Sequence, residues 1–333
     1  MTETTADLQE MERRIAAFAA AHRAGTFGPE DEAAFTAPYG PAEEWDVLTE
    51  DRQVPGPHGP VPVRLYTPAA AARAPRAVLV FCHGGGFMHG DLDMPEGDAT
   101  ARGVAGRADV VVVSVDYRLC DELDGRPTRS IPGTDPGLVI HAPIPGDDVI
   151  AVVDWTRSAA EELGIDPDRL ALGGCSAGGN LAASVSLRLA EAGRAPSASL
   201  LMYLVSHPLN PEPTAEEAEA LEFLPLELSF TPEKMRAMSE NYIGRPLEEA
   251  TAHDFPGLGT PEQLAVLPRT YIEADEYDSL RLGARRYSEQ LAEAGVEVEY
   301  EVRRGVNHGH LNKLGLPQAA QSMDRMAGLM KEL

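Results

Sequence analysis

The chain is short of positive charge. Its 333 residues carry 28 Lys and Arg against 53 Asp and Glu, a formal net charge of −25. So acidic a surface repels phosphate backbones and anionic lipid headgroups, which argues against nucleic acid and membrane surfaces as partners. Cysteine is scarce as well. The three present, Cys82, Cys120 and Cys175, are odd in number and lack metal-like spacing, so no disulfide framework is expected and a reducing cytoplasm suits them. Long apolar runs are missing: the longest are strand-sized, well short of the roughly 20 residues that span a bilayer. Residues Met1 to Glu12 are polar and acidic, without the basic and apolar regions of a signal peptide. What remains is ordinary for a soluble globular protein, 43% hydrophobic and 24% charged, and long enough for one large α/β domain with a smaller appendage.

Short apolar runs alternate with helical patterns. Strands are expected at 46–54 and 61–67, separated by a Pro/Gly turn at 55–60, then at 77–81, 110–115, 170–172, 200–205, 270–273 and 296–302. Helices are expected between them at about 95–107, 146–160, 181–189 and 280–294, and after them from Pro317, where Met323, Met326 and Met330 share a face. Such alternation implies an α/β fold with a mainly parallel central sheet covered by helices on both faces. An amphipathic helix at about 5–22 carries Leu8, Met11, Ile15 and Phe18 on one stripe, and 26–43 reads as connection. Residues 207–262 break the rhythm, with helix signals at Thr214-x-x-Glu217 and Thr231-Pro232-Glu233 and no strand. The reading divides the chain into a helical cap segment at 1–45, a core at 46–206 and 263–333, and a helical cap insertion at 207–262. The cap is set over the C-terminal edge of the sheet, where such sheets keep their ligands.

The stretch Gly174-Cys175-Ser176-Ala177-Gly178-Gly179-Asn180 follows one strand and opens one helix. A chain that reverses so sharply needs small neighbours around its central residue. A Cβ at Gly174 or Gly178 would clash, and positive φ would cost a non-glycine residue energy. Ser176 would then stand as a nucleophile beside a helix N-terminus. Three further stations are needed. Consecutive glycines at 84–86, after the strand at 77–81, let backbone N–H groups approach an oxyanion; the stretch lacks the Lys-Ser/Thr of a phosphate loop and the spacing of a dinucleotide site. An acid belongs in the loop after 270–273; Glu273 falls to the strand, and position alone leaves Asp275, Glu276 and Asp278 open. A base belongs after the last strand, where His308 and His310 lie within Gly305-Val306-Asn307-His308-Gly309-His310. A His-x-His pair can bind metal, but no third ligand is nominated, so neither metal nor cofactor is expected. Cys175, at the strand's end, is expected to pack inward.

Five stretches in register carry a resemblance. His83-Gly-Gly-Gly-Phe87, Asp116-Tyr-Arg-Leu119, Gly174-x-Ser176-Ala-Gly-Gly-Asn180, Glu276-Tyr-Asp278-x-Leu-Arg281 and Gly305-x-x-His308-Gly309 together resemble the hormone-sensitive-lipase family of α/β-hydrolases, serine esterases with an HGGG motif. The likeness runs from about residue 50 to the C-terminus. It implies the α/β-hydrolase fold and a carboxylesterase acting on small or medium acyl esters. It also implies Ser176 as nucleophile, Asp278 as acid, His308 as base, and the N–H groups of Gly85, Gly86 and Ala177 as the oxyanion hole. The chain departs from the family pattern at Cys175, where an Asp is usual, at His310, where an aromatic is usual, and in an insertion of roughly 18 to 20 residues at 120–140. These leave room for an acyltransferase, a cyclase or dehydratase on the same scaffold, or a small-molecule receptor with a dead triad. Oligomeric state is not set, and a homodimer is compatible with the sequence.

Overall fold

Strand β3 (Arg76–Cys82) is the spine of the sheet, and all seven of its residues are buried. Alternate side chains point to opposite faces: Val78, Val80 and Cys82 enter one core, and Ala77, Leu79 and Phe81 the other. A strand buried on both faces has no polar side to show, hence its continuous apolar run. The computed structural model describes residues 4–333, with side chains from Glu10 onward. The elements before the spine are α1 (Thr4–Ala24), α2 (Pro29–Thr36), β1 (Val47–Val54) and β2 (Val61–Pro68). After it come α3 (Pro95–Ala108), β4 (Val111–Val115), α4 (Ile144–Ser158), α5 (Ala160–Leu163), β5 (Ile165–Cys175), α6 (Ala177–Glu191) and β6 (Ala198–Met202). The rest are α7 (Ala215–Glu222), α8 (Pro232–Ile243), α9 (Pro261–Leu264), β7 (Arg269–Tyr277), α10 (Arg281–Glu293), β8 (Val298–Asn307) and α11 (Pro317–Lys331).

The eight strands form one sheet in the order β1-β2-β4-β3-β5-β6-β7-β8. Only β2 runs antiparallel to its neighbours; from β4 to β8 every pairing is parallel. Helices α4, α6 and α10 cover one face through Val149, Val153, Leu181, Val185, Tyr287 and Leu291. Helices α1, α3 and α11 cover the other through Met11, Ile15, Val104, Met323, Met326 and Met330. The expected stripe of α1 thus packs inward at Met11 and Ile15, while the Leu8 side chain lies outside the described residues.

Four expectations change. The connection at 26–43 contains a helix, α2, opened by Pro29 at its first position and held by Asp31, whose carboxylate accepts the Gly28 N–H at 3.0 Å. Strand β6 stops at Met202 rather than Val205. Tyr203 turns left-handed at φ 36°, and Leu204 and Val205, though buried, lie beyond the strand. Strands β7 and β8 run on to Tyr277 and Asn307, so Asp275 and Glu276 are strand residues and His308 follows its strand after no gap.

Helices α7 and α8 carry the caps read from sequence. Thr214 accepts from the Glu217 N–H while Glu217 accepts from the Thr214 N–H, and Thr231 accepts from Lys234. Met235 and Tyr242 of α8 are buried, and the Tyr242 ring stacks on Phe87 just beyond β3, with centroids 3.8 Å apart. The insertion is tied at several points. Arg129 binds Asp116 at 2.7 Å and the Gly90 carbonyl at 3.0 Å, Asp121 accepts the Ile140 N–H at 2.8 Å, and Asn241 of α8 donates to the Asp121 carbonyl at 3.1 Å.

Arg118 joins this loop to the sheet. It is fully buried, binds Asp148 of α4 at 2.5 Å, and donates to the carbonyl of His58 and the hydroxyl of Thr134. Removing one member of a buried ion pair strands the other. We expect Arg118→Met to cost about 3–5 kcal/mol of stability, read by urea denaturation. A loss below about 1 kcal/mol would show that the pair is not needed.

Candidate active site

Strand β5 delivers Ser176 at its C-terminal end, and α6 starts at the next residue. The serine sits at φ 52°, ψ −117°, a region non-glycine residues avoid at a cost of about 1–3 kcal/mol. The positive φ therefore falls on Ser176 itself rather than on the flanking glycines, which are needed for space. A Cβ on Gly174 would lie 2.4 Å from the Gly178 carbonyl oxygen, and one on Gly178 would lie 2.2 Å from the Cys82 carbonyl oxygen. The turn is held by the Ser176 N–H donating to Met202 O at 2.9 Å, and by Ser176 O accepting from Asn180 and Val205. Cys175 points into the core, fully buried, and burial pushes its thiol pKa well above the ordinary value, so it is a packing residue rather than a reactive one.

His308 follows β8 directly. Its Nε2 lies 3.0 Å from Ser176 Oγ and its Nδ1 2.6 Å from Asp278 Oδ2. The carboxylate fixes the tautomer: Nδ1 carries the proton toward Asp278, and Nε2 accepts from the serine hydroxyl. Asp278 is buried, and its other oxygen accepts the Leu280 N–H at 2.9 Å, which holds the carboxylate in place. Burial opposes a charged imidazole at His308. The Asp278 charge and hydrogen bond, with contributions from Asp275 and Glu96, outweigh it and raise the pKa above the ordinary histidine value.

The three carboxylates that position left open have separate partners. Glu276 binds Arg304 and the Gly305 N–H, each at 2.7 Å. Asp275 binds His310 Nδ1 at 2.7 Å, and His310 Nε2 lies 2.8 Å from Ser322 Oγ. A second hydroxyl–imidazole–carboxylate chain thus stands behind the first. Its three residues are completely sealed from solvent, and the single Ser322 hydroxyl proton goes to Glu273, which Arg303 pairs, so Ser322 Oγ stands as acceptor toward His310 Nε2. It is a buried polar network, and His310 takes part in it rather than in a shared metal site with His308.

The glycine loop follows β3 and passes Ser176. Gly85 and Gly86 have φ of +115° and +59°, and a Cβ on Gly85 would sit 2.1 Å from the His89 carbonyl oxygen. His83 anchors the loop: its Nδ1 donates to Gly84 O at 2.7 Å, and burial lowers its pKa to about 4, keeping it neutral. Tyr117 stacks on it and donates to its carbonyl at 2.8 Å. Two apolar groups from the 207–262 interval close over the site. The Phe230 ring meets His308 edge-on at 4.8 Å, and Met238 Sδ would lie 3.8 Å from a Cβ on Gly86.

Sequence reasoning missed Glu96, Tyr203 and Asn312. Glu96, in the first turn of α3, is buried with its carboxylate accepting from the Gly84 N–H at 2.5 Å, the Tyr203 hydroxyl at 2.8 Å and Asn312 Nδ2 at 2.9 Å. The only signal was an acidic residue after Pro95, which at a helix start reads as a favourable but solvated charge.

Known proteins resemble this chain in sequence and in fold. The family described as the alpha/beta hydrolase fold matches residues 79–122 and 140–312, and the unmatched gap falls within the insertion. Esterase LipI of Mycobacterium tuberculosis is 34% identical over 284 residues, covering 83% of this chain and 79% of its own. Carboxylesterase NlhH of the same organism is 32% identical over 279 residues, covering 81% and 78%. Among solved structures, a thermostable esterase from Pseudomonas putida superposes with a TM-score of 0.74 at 25% identity, covering 96% of each chain. The chain belongs to the α/β-hydrolase fold family and, within it, to the hormone-sensitive-lipase-like carboxylic ester hydrolases.

Proposed function

We propose that this carboxylic ester hydrolase works through an acyl-enzyme on Ser176, with His308 as general base, Asp278 as its orienting acid, and the N–H groups of Gly85, Gly86 and Ala177 as the oxyanion hole. The observation that carries the reading is the continuous chain from Ser176 Oγ through His308 to Asp278, at 3.0 and 2.6 Å. His308 Nε2 takes the hydroxyl proton as Oγ attacks the ester carbonyl. Charge developing on the carbonyl oxygen is met by backbone N–H groups fixed before the reaction, one of them at the α6 N-terminus. His308 then gives its proton to the departing alcohol. Water enters, His308 takes a proton from it, and the same steps release the acid and restore Ser176.

We read residues 1–45 and 207–262 as the cap of this site. Phe230 beside His308 and Met238 above Gly86 narrow the space at the reacting carbon, which favours small or medium acyl groups. Three buried free thiols suit a reducing compartment, which for this enzyme we take to be the cytoplasm. Among the described residues, no helix is long and apolar enough to cross a membrane.

A chain-length series of p-nitrophenyl esters tests the substrate range: kcat/KM should peak at short or medium acyl groups, and a rise through long chains would overturn it. The pH dependence tests the base. His308 must be neutral to accept the serine proton, so activity should be full above its pKa and fall as pH drops through it. That pKa is raised, so the acid limb of kcat/KM should lie above the ordinary histidine value of about 6.5. A limb near pH 4–5 would point to a different base.

A further inference from the structure

Glu96 is one of the buried ionisable groups beside the site that the acyl-transfer steps leave unused. Glu96 is 2% exposed. Its carboxylate accepts from three separate parts of the chain, Gly84 in the glycine loop, Tyr203 after β6 and Asn312 after β8. Its own N–H donates to Asn312 Oδ1 at 3.2 Å, so the Asn312 amide is bound at both ends. Burial raises the Glu96 pKa, while the hydrogen bonds from Tyr203, Gly84 and Asn312 and the nearby His308 oppose it; all three partners of the carboxylate are donors, so its ionised form is the one whose hydrogen bonds this pocket satisfies. A buried carboxylate is expensive to desolvate. Placing one here, against loop backbone, calls for a reason beyond packing.

We propose that Glu96 is the positioning residue that locks the oxyanion loop and the His308 loop into one unit around Ser176. The proposal rests on the acyl-enzyme reading above. On one side, Gly84 is caught between Glu96 and the nucleophile: a Cβ there would lie 2.3 Å from Glu96 Oε1 and 3.2 Å from Ser176 Cβ. Gly84 cannot shift without carrying Gly85 and Gly86, which supply the oxyanion donors. On the other side, Asn312 lies four residues after His308, on the short helix His310–Asn312 that the base loop leads into. Tyr203, the third partner, sets its ring edge against His308 with centroids 5.2 Å apart. One carboxylate therefore fixes the spacing between the donors that hold the oxyanion and the imidazole that moves the proton. Misplacing either by a fraction of an ångström weakens the transition state more than the bound substrate.

The charge of Glu96 acts in two directions. It faces His308 and favours the imidazolium that forms during attack. It also lies near the oxyanion, which it disfavours, so its benefit comes through placement and the imidazolium together. The ionisable groups facing His308 are Asp278 and Asp275 at the end of β7, Glu96 from α3 and the Tyr203 hydroxyl that Glu96 binds. Those around Glu96 are Tyr203, Tyr117, Cys175 and His308. Of these, Asp278 and Asp275 stay in place when Glu96 is changed.

The test measures kcat, KM and the pH profile of kcat/KM for Glu96→Gln, Glu96→Asp and Glu96→Ala, with rates counted per active serine titrated by a fluorophosphonate probe. Glu96→Gln keeps the shape and loses the charge. It should lower kcat about 10-fold with KM within about 3-fold, and move the acid limb to lower pH. Glu96→Ala should lower kcat about 100-fold, and Glu96→Asp should recover part of that loss. If the glutamine variant keeps the wild-type kcat and acid limb per titrated site and only melts earlier, Glu96 is structural and the proposal fails. Should Glu96→Ala not fold, the glutamine variant decides alone. Failure of the wild-type protein to label at Ser176 would instead overturn the acyl-enzyme reading beneath.

Discussion

Ser176→Ala should lower kcat by about 10⁴–10⁶-fold while leaving the fold intact. The size follows from what is removed. Without Oγ no acyl-enzyme forms, and only binding and the oxyanion donors are left to assist direct attack by water. The fold should survive because alanine keeps the Cβ that already fits the turn, and the hydrogen bonds that hold the turn come from the Ser176 backbone. Circular dichroism and thermal melting check the fold, and p-nitrophenyl ester turnover checks the rate. A variant that retained more than about a hundredth of wild-type kcat would remove Ser176 from the mechanism.

Asp278→Asn should be nearly as damaging, with kcat down by about 10⁴-fold. An amide at this position can present its NH₂ to His308 Nδ1, which favours the tautomer with the proton on Nε2, where it cannot accept from Ser176. The paired control is Asp275→Asn. Asp275 addresses His310 in the sealed network, so its loss should appear mainly as lower stability, with kcat within about 10-fold of wild type. The comparison needs both variants in one assay. If Asp275→Asn proved the more damaging to kcat, the acid would have been assigned to the wrong carboxylate.

Those two aspartates mark where the sequence ran out. Strand–turn–helix around Ser176 was legible because the glycine requirement is steric and local. The glycine loop at 84–86 was legible as a place for close backbone approach because consecutive glycines after a buried strand have few other uses. The sheet and its two helical faces followed from hydrophobic period. Asp275, Glu276 and Asp278 could not be told apart by position, because strand pairing carries β7 to Tyr277 and no local signal shows where it ends. The resemblance chose Asp278, and the geometry pairs that residue with His308. His310 was weighed as a metal ligand, since two histidines one residue apart do not reveal that they face different partners. Helix α2 was passed over because its eight residues carry too little periodicity to stand out from a Pro- and Gly-punctuated stretch. Glu96 was invisible for a different reason. Its partners lie 12, 107 and 216 residues away, and only the closed fold brings them together.

The left-handed backbone at Ser176 has a consequence for the protein's history. That residue occupies a conformation in which glycine would rest more easily, so a serine side chain costs the turn stability. Selection for durability alone would erode serine to glycine here, and each such step would be rewarded. On the acyl-enzyme reading proposed above, turnover is what keeps a serine here. Lineages released from that selection should lose the hydroxyl early, well before they lose the fold.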